Sequence, residues 1–284
     1  MVLAKFDTGT VIAIKILCRQ REGIYLRLSI AQIETKLNDK AYNLAKIERF
    51  LHEAKEHKSD LVLFPELGLT GYSIGPWLDE AAETPDGESV QHVQSLCKKL
   101  AIHTIFSFPE RGQDGNYYVA TVFINDQGEV VALHRKTHLY GEEQVHFTCG
   151  DEVQVFQSKF GVIGIMSSYD LEFPEIARIL SKKGADLILI PSTNMAPYKT
   201  HQLAFTQCRA MENEVPLALC NRIGKEGDIE FIGCSSFVDA QGVTHLLLSN
   251  QEELHTIPVL LFKSADSKLD YILNNQPHLF KELC

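Results

Sequence analysis

Three residues far apart in the chain each follow a strand-like run: Glu66 after Leu61 to Phe64, Lys136 after Glu129 to His134, and Ser168 after Val162 to Met166. Between them they carry the groups that acyl transfer from an amide needs. That reaction takes a nucleophile, a base to remove its proton, and positive charge or N–H donors where the tetrahedral oxyanion forms. The corner at Ser168 is the most fully formed of the three. In GVIGIMSSYDLEFPE a strand-like run ends in small hydroxyl residues, and Pro174 suits a first helical turn, where its missing N–H would be unpaired anyway. Ile176, Ala177 and Leu180 give that helix one apolar face. Side chains at such a corner project past the end of the sheet, among backbone N–H groups able to face developing negative charge.

Plainer readings compete residue by residue. A carboxylate beyond a buried strand is often only a loop acid or a cap. Asp170 is better suited to fixing the corner by accepting backbone N–H bonds than to chemistry. Arg209, Glu212, Asn221 and Arg222 read as a buried or interface polar network, while Tyr72 and Asn194 are candidates for pocket lining. HEAKEH invites a zinc reading, but His52 and His57 are five apart, roughly 140° around a helix, and so do not share a face. His134, His138 and His146 lie in a loop interleaved with Lys and Arg, without a recognisable ligand spacing.

The elements that must position these residues alternate. Tyr25 to Gln32 reads as a half-buried strand. A helix follows from Asn38-Asp39 to about His57, with Leu44, Ile47, Leu51 and Ala54 on one face. Leu61 to Phe64 and Leu187 to Ile190 suit strands buried on both faces. Residues 88 to 102 and 200 to 213 read as helices, and Ile105 to Phe108 and Pro216 to Cys220 as strands. Tyr117 to Ile124 and Glu129 to His134 flank an Asn-Asp-Gln-Gly hairpin connection; Phe231 to Val238 and Val243 to Leu248 form a second hairpin. The expected class is α/β, with sheets covered by helices. The two halves share a strand-helix rhythm but no sequence repeat.

With 284 residues and 45% apolar content, the chain is long enough for one large core. A net charge of −10 argues against nucleic acid as a partner. The seven cysteines are scattered and form no C-x-x-C pair, which suits a reducing cytoplasm. No apolar run approaches the roughly 20 residues needed to span a bilayer, so no membrane association is expected. Residues 1–24 read as an N-terminal extension; VIAIKIL there is broken by Lys15 and lacks a small-residue cleavage site.

FPELGLTGY around Glu66, RKTHLYGEE around Lys136 and SYDLEFPE around Ser168 resemble, in order, the three catalytic motifs of the carbon–nitrogen hydrolase (nitrilase) superfamily, in its amidase and carbamoylase branch. The similarity continues through IPSTN, RAMENEVPLALCNRIG and FIGCSSFVDAQG, over about residues 26–280. The resemblance implies one domain over 25–284, folded as a four-layer α-β-β-α sandwich, cofactor-free and paired into dimers or larger homo-oligomers. It implies Glu66 as general base, Lys136 as oxyanion partner together with a backbone N–H, and Glu143, in preference to Glu142, as the acid that positions substrate or leaving group. Tyr72, Tyr169, Glu172 and Asn194 would bind substrate. Tyr169-Asp170 after the nucleophile favours amides or carbamoyl amines over nitriles. A glutamate at 172, where branches with acidic substrates carry arginine, favours a neutral or amine-bearing substrate.

One departure stands out: the family carries cysteine where this chain has Ser168. No other cysteine replaces it, since Cys149 lies in a loop, Cys208 on a helix, and Cys220 and Cys234 in strands. A hydroxyl is far less acidic than a thiol and usually needs a histidine-based relay. Retention of Glu66, Lys136 and Glu143 favours a deliberate, inactivating Cys-to-Ser change in an ordinary enzyme. The alternatives are a natural non-catalytic protein that binds a small molecule or a partner, and a working serine variant. A serine-hydrolase reading ranks lower, because there is no G-x-S-x-G elbow.

Overall fold

The computed structural model describes residues 24–261, 270–276 and 278–279. The expected N-terminal extension thus lies outside the described residues, except that Ile24 already opens the first strand.

The first half of the chain runs β1 (Ile24–Gln32), α1 (Lys40–Glu56), β2 (Leu61–Leu63), α2 (Glu88–Leu100), β3 (His103–Arg111), β4 (Tyr117–Ile124) and β5 (Val130–Arg135). A short helical turn, α3 (Glu143–His146), precedes the second half. There follow β6 (Val155–Ser158), β7 (Gly161–Ile165), α4 (Pro174–Lys182), β8 (Leu187–Ser192), α5 (Lys199–Asn213) and β9 (Leu217–Asn221). A small β10–β11 hairpin (Ile223–Glu226, Ile229–Ile232) comes next, then β12 (Ser236–Val238), β13 (Thr244–Leu247) and β14 (Glu253–Leu261).

These strands build two six-stranded mixed sheets, ordered β14-β1-β2-β3-β4-β5 and β13-β12-β9-β8-β7-β6. Read from β14 and from β6 respectively, both sheets show the same succession: antiparallel, parallel, parallel, antiparallel, antiparallel. The shared rhythm seen in the sequence is therefore a shared topology.

Period-two alternation sorts the strand residues into layers. Leu26, Leu28, Ile30, Leu61 and Leu63 meet Ile163, Ile165, Leu187 and Leu189 between the sheets. The alternate residues, Val62 and Phe64 in one sheet and Ile188 and Ile190 in the other, face helices: α1 and α2 through Ile47, Leu51, Val90 and Val93, and α4 and α5 through Ile176, Ala177, Leu180 and Ala210. The result is a single-domain α-β-β-α sandwich with α1 capped by Asp39, whose carboxylate accepts the Tyr42 N–H at 3.0 Å.

One expectation is revised, and one pairing is new. Phe231 to Val238 is not one strand: Gly233 and Cys234 adopt positive φ values of 59° and 57°, which break the run into β11 and β12. The pairing of β14 with β1 along nine residue pairs was not anticipated, because strands more than two hundred positions apart leave no local signal.

Candidate active site

Glu66, Lys136 and Ser168 each stand just beyond the carboxyl end of a strand. Glu66 lies in the tight turn after β2, where the Leu67 N–H is held by the Ser107 hydroxyl at 3.1 Å. Lys136 follows β5 directly and extends its ladder by one bond, its N–H donating to Val119 at 2.9 Å. Ser168 opens a single 3-10 turn, Ser168–Glu172, between β7 and α4. Its φ is +37°, so the first residue of the turn occupies the sterically crowded left-handed region while its side chain faces a cavity.

The turn is held by Asp170. Its carboxylate accepts the Ser167 N–H at 3.0 Å, the Thr137 N–H at 3.2 Å and the His138 N–H at 2.8 Å, as well as the Thr137 hydroxyl at 2.8 Å. The His134 and His138 imidazoles stand 3.3 Å and 3.1 Å from it. Burial opposes its charge, but these hydrogen bonds hold the carboxyl well below its usual range. Asp170 thus serves the corner structurally and spends its lone pairs on backbone.

The ionisable groups behind the cavity are fully buried. Lys136 Nζ donates to Glu66 Oε1 at 3.0 Å and to Glu143 Oε1 at 2.8 Å. Glu143 rather than the exposed Glu142 makes this contact. Burial pushes Glu66 up to about 7; the Lys136 charge opposes this, and Glu143 adds to it. Burial works against the Lys136 ammonium as well, but Glu143 and Glu66 outweigh it and hold the group charged above its ordinary range. Glu66 Oε2 is buried without a hydrogen-bond partner, an acceptor left open.

Thr193, just after β8, joins the two sides. Its hydroxyl donates to Glu66 Oε1 at 2.7 Å and its N–H to Ser168 Oγ at 3.3 Å. Ser192 Oγ stands 3.5 Å from Ser168 Oγ. Sequence reasoning missed Thr193, although it lies within IPSTN beside the Asn194 that was singled out; a threonine after a buried strand carries no distinguishing signal of its own.

A cavity of about 210 Å³ opens over this set, lined by Lys136, Glu143 and Ser168 together with Tyr72, Tyr169, Glu172 and Asn194. All four expected substrate-contacting residues therefore share one wall system with Lys136, Glu143 and Ser168. Tyr140, Tyr198 and His201, not foreseen, also line it. A roomier cavity of about 550 Å³ lies between the edge strands β5 and β6, but Glu66, Lys136, Glu143 and Ser168 are absent from its walls.

The remaining polar residues fall into separate groups rather than one network. Arg209 donates to the carbonyls of Leu171 and Glu172 and to Glu212, supporting the corner from behind. Asn221 ties Asn194 and Gly233 together, and Arg222 pairs with Glu226 in the interior. Among the described residues no group of His, Cys, Asp and Glu could hold a metal ion, and no helix is long and apolar enough to cross a membrane.

The carbon-nitrogen hydrolase family profile matches residues 27–260, and the chain belongs to that family. A probable nitrilase of Schizosaccharomyces pombe is 32% identical over 231 residues, covering 80% of this chain and 85% of that protein. An (R)-stereoselective amidase of a Pseudomonas species is 28% identical over 247 residues, covering 87% and 89%. Among solved structures, an amidase from Nesterenkonia sp. superposes with a TM-score of 0.82 at 25% identity, covering 93% of this chain and 98% of that one. A mutant of that amidase in complex with butyramide gives 0.83 at 25% identity, covering 92% and 98%.

Proposed function

We propose that this protein is a hydrolase of small linear amides or carbamoyl amines whose site works through Glu66, Lys136 and the residue at 168, with Glu143 positioning substrate or leaving group. The observation that carries the reading is Thr193, which holds the base and the nucleophile position together through one side chain and one N–H. In the chemistry this supports, Glu66 takes the proton of the attacking group as that group bonds to the amide carbon. Lys136 faces the developing oxyanion, the proton is passed to the leaving amine, and water then cleaves the acyl intermediate. The amidase relatives and the butyramide complex of the Nesterenkonia enzyme support an amide as substrate.

Serine at 168 sets the rate. With Glu66 at about 7, moving a thiol proton (ordinary pKa about 8.5) onto it costs about 2 kcal/mol. An alcohol, with acidity near that of water at about 15.7, costs about 12 kcal/mol. The protein with Ser168 therefore binds amides and turns them over very slowly or not at all, while the cysteine form is a competent enzyme. This fits an inactivating replacement of cysteine in an otherwise intact site.

The second reading, a non-catalytic binding protein on the same fold, is favoured by that same hydroxyl, for which no histidine relay stands in hydrogen-bonding contact among the described residues. Intact-protein mass and ammonia release separate the two, measured on this protein and on Ser168→Cys with a panel of small amides, carbamoyl amines and nitriles. An acyl adduct and turnover in the cysteine form alone support the enzyme; silence from both folded proteins favours the binding protein.

A further inference from the structure

The lining of the cavity is unusual in chemistry and charge. Four tyrosines line it: Tyr72, Tyr140, Tyr169 and Tyr198. Three of them form a continuous edge-to-face surface, with Tyr140 centred 5.2 Å from Tyr169 and 6.1 Å from Tyr198, and the Tyr140 hydroxyl donating to that of Tyr198 at 3.1 Å. Beside them stands Glu172, half-buried at the end of the 3-10 turn. Its carboxylate makes neither a hydrogen bond nor an ion pair among the described residues. Desolvation raises its pKa, with only the more distant charges of His201 and Arg209 opposing.

Of these two, the permanent cation is already committed. Arg209 spends its guanidinium on Glu212 and on the backbone carbonyls of Leu171 and Glu172. Lys136, the one lysine or arginine among the lining residues, is shared between Glu66 and Glu143. The cavity therefore carries an unmatched carboxylate next to electron-rich ring faces. A carboxylate-bearing substrate meets repulsion there, and a neutral chain leaves Glu172 without a partner. A protonated amine gains a charge-assisted hydrogen bond together with cation–π attraction.

We infer that the substrate class is an amide whose far end carries a protonated amine, with Glu172 as its counter-ion and the Tyr140–Tyr169–Tyr198 surface as its flank. The inference rests on the amide-hydrolase reading and narrows it. A cavity of about 210 Å³ restricts the substrate to a short linear chain, below the roughly 300–1,000 Å³ of drug-sized sites.

Because Ser168 leaves amides uncleaved or nearly so, binding is measured directly on the protein as it is. Titration calorimetry at about pH 8, above the ordinary histidine range, compares three probes of matched length: δ-aminovaleramide, hexanamide and glutaramate. The expected result is a Kd for the amine at least about tenfold below that for hexanamide, with glutaramate weakest. In Glu172→Gln the amine-to-neutral ratio should collapse to about one, and Glu172→Arg should reverse the order in favour of glutaramate. Circular dichroism on each variant checks that it is folded, and the reversal remains readable if the glutamine variant is lost. Equal binding of amine and hexanamide, or an amine preference that survives Glu172→Gln, overturns the inference while leaving the amide site standing. No binding of any of the three overturns both.

Discussion

Asp170 Oδ1 accepts both the backbone N–H of Thr137, at 3.2 Å, and its side-chain hydroxyl, at 2.8 Å, so the residue next to Lys136 is fastened to the turn that carries Ser168. The Lys136 loop and the Ser168 corner follow strands of different sheets, and this carboxylate holds them in register.

Replacing Asp170 with Asn should cost about 3 kcal/mol in urea denaturation at pH 7, since a buried charged acceptor of several N–H groups is lost. The pH dependence has a definite sign. The folded carboxyl lies below its usual range, so its contribution is complete above the unfolded value of about 3.9 and is lost as pH falls below it. The steep acid loss of stability in the parent should flatten in Asp170→Asn. Parallel acid profiles would contradict the role given to this residue.

Glu66 has the opposite sign. Held up to about 7 from 4.5, it binds a proton in the folded state that the unfolded chain has released, so stability falls as pH rises through that window. Glu66→Gln keeps an oxygen for Lys136 and Thr193 and removes the charge. Its stability should match the parent near pH 4 and exceed it near pH 8 by about 3 kcal/mol. In a Ser168→Cys background the same change should abolish turnover, while the unaltered Glu66 should make activity rise with pH through about 7. A parent as stable as Glu66→Gln at pH 8 would show that the carboxylate is not burdened by burial.

Lys136→Met leaves Glu66 and Glu143 facing each other without their shared cation. A loss of about 3–5 kcal/mol is expected from breaking this buried group. Part of it should return in the Lys136→Met, Glu66→Gln double variant, because one uncompensated charge is then gone. A double-mutant cycle with no coupling would contradict the contacts of 3.0 Å and 2.8 Å that join the three residues.

Ser168 sits at φ +37°. Alanine and glycine at 168 both remove the hydroxyl, but only glycine is at ease in the left-handed region. Ser168→Gly should therefore be about 1 kcal/mol more stable than Ser168→Ala in thermal or urea unfolding. Equal stabilities would mean that the corner carries no strain.

Much of this architecture is legible in the residues themselves. Leu61 to Phe64 and Leu187 to Ile190 announce buried strands, and the Pro174 turn announces the helix beyond Ser168. Glu66, Lys136 and Ser168 each betray themselves by polar chemistry at the end of a strand-like run. What stays hidden is whatever depends on distant partners. β14 finds β1 only in three dimensions, and Cys234 takes a left-handed conformation that its side chain does not advertise. Thr193 becomes significant only when Glu66 is folded against it. Tyr140 and Tyr198 look like ordinary loop aromatics until their hydroxyls meet.

The shared topology of the two sheets has a consequence for how the site is divided. By strand register Ile30 pairs with Leu63 as Ile165 pairs with Leu189. Three residues beyond each of these lie Ile33 and Glu66 in one half, and Ser168 and Ser192 in the other. The fold thus offers the same two berths twice. One half fills them with an apolar residue and a carboxylate, the other with two hydroxyls, and Lys136 is added from the first. Neither half holds both the proposed base and the proposed nucleophile position, so the chemistry proposed for them belongs to the seam where two like scaffolds, unlike in their furnishing, are pressed together.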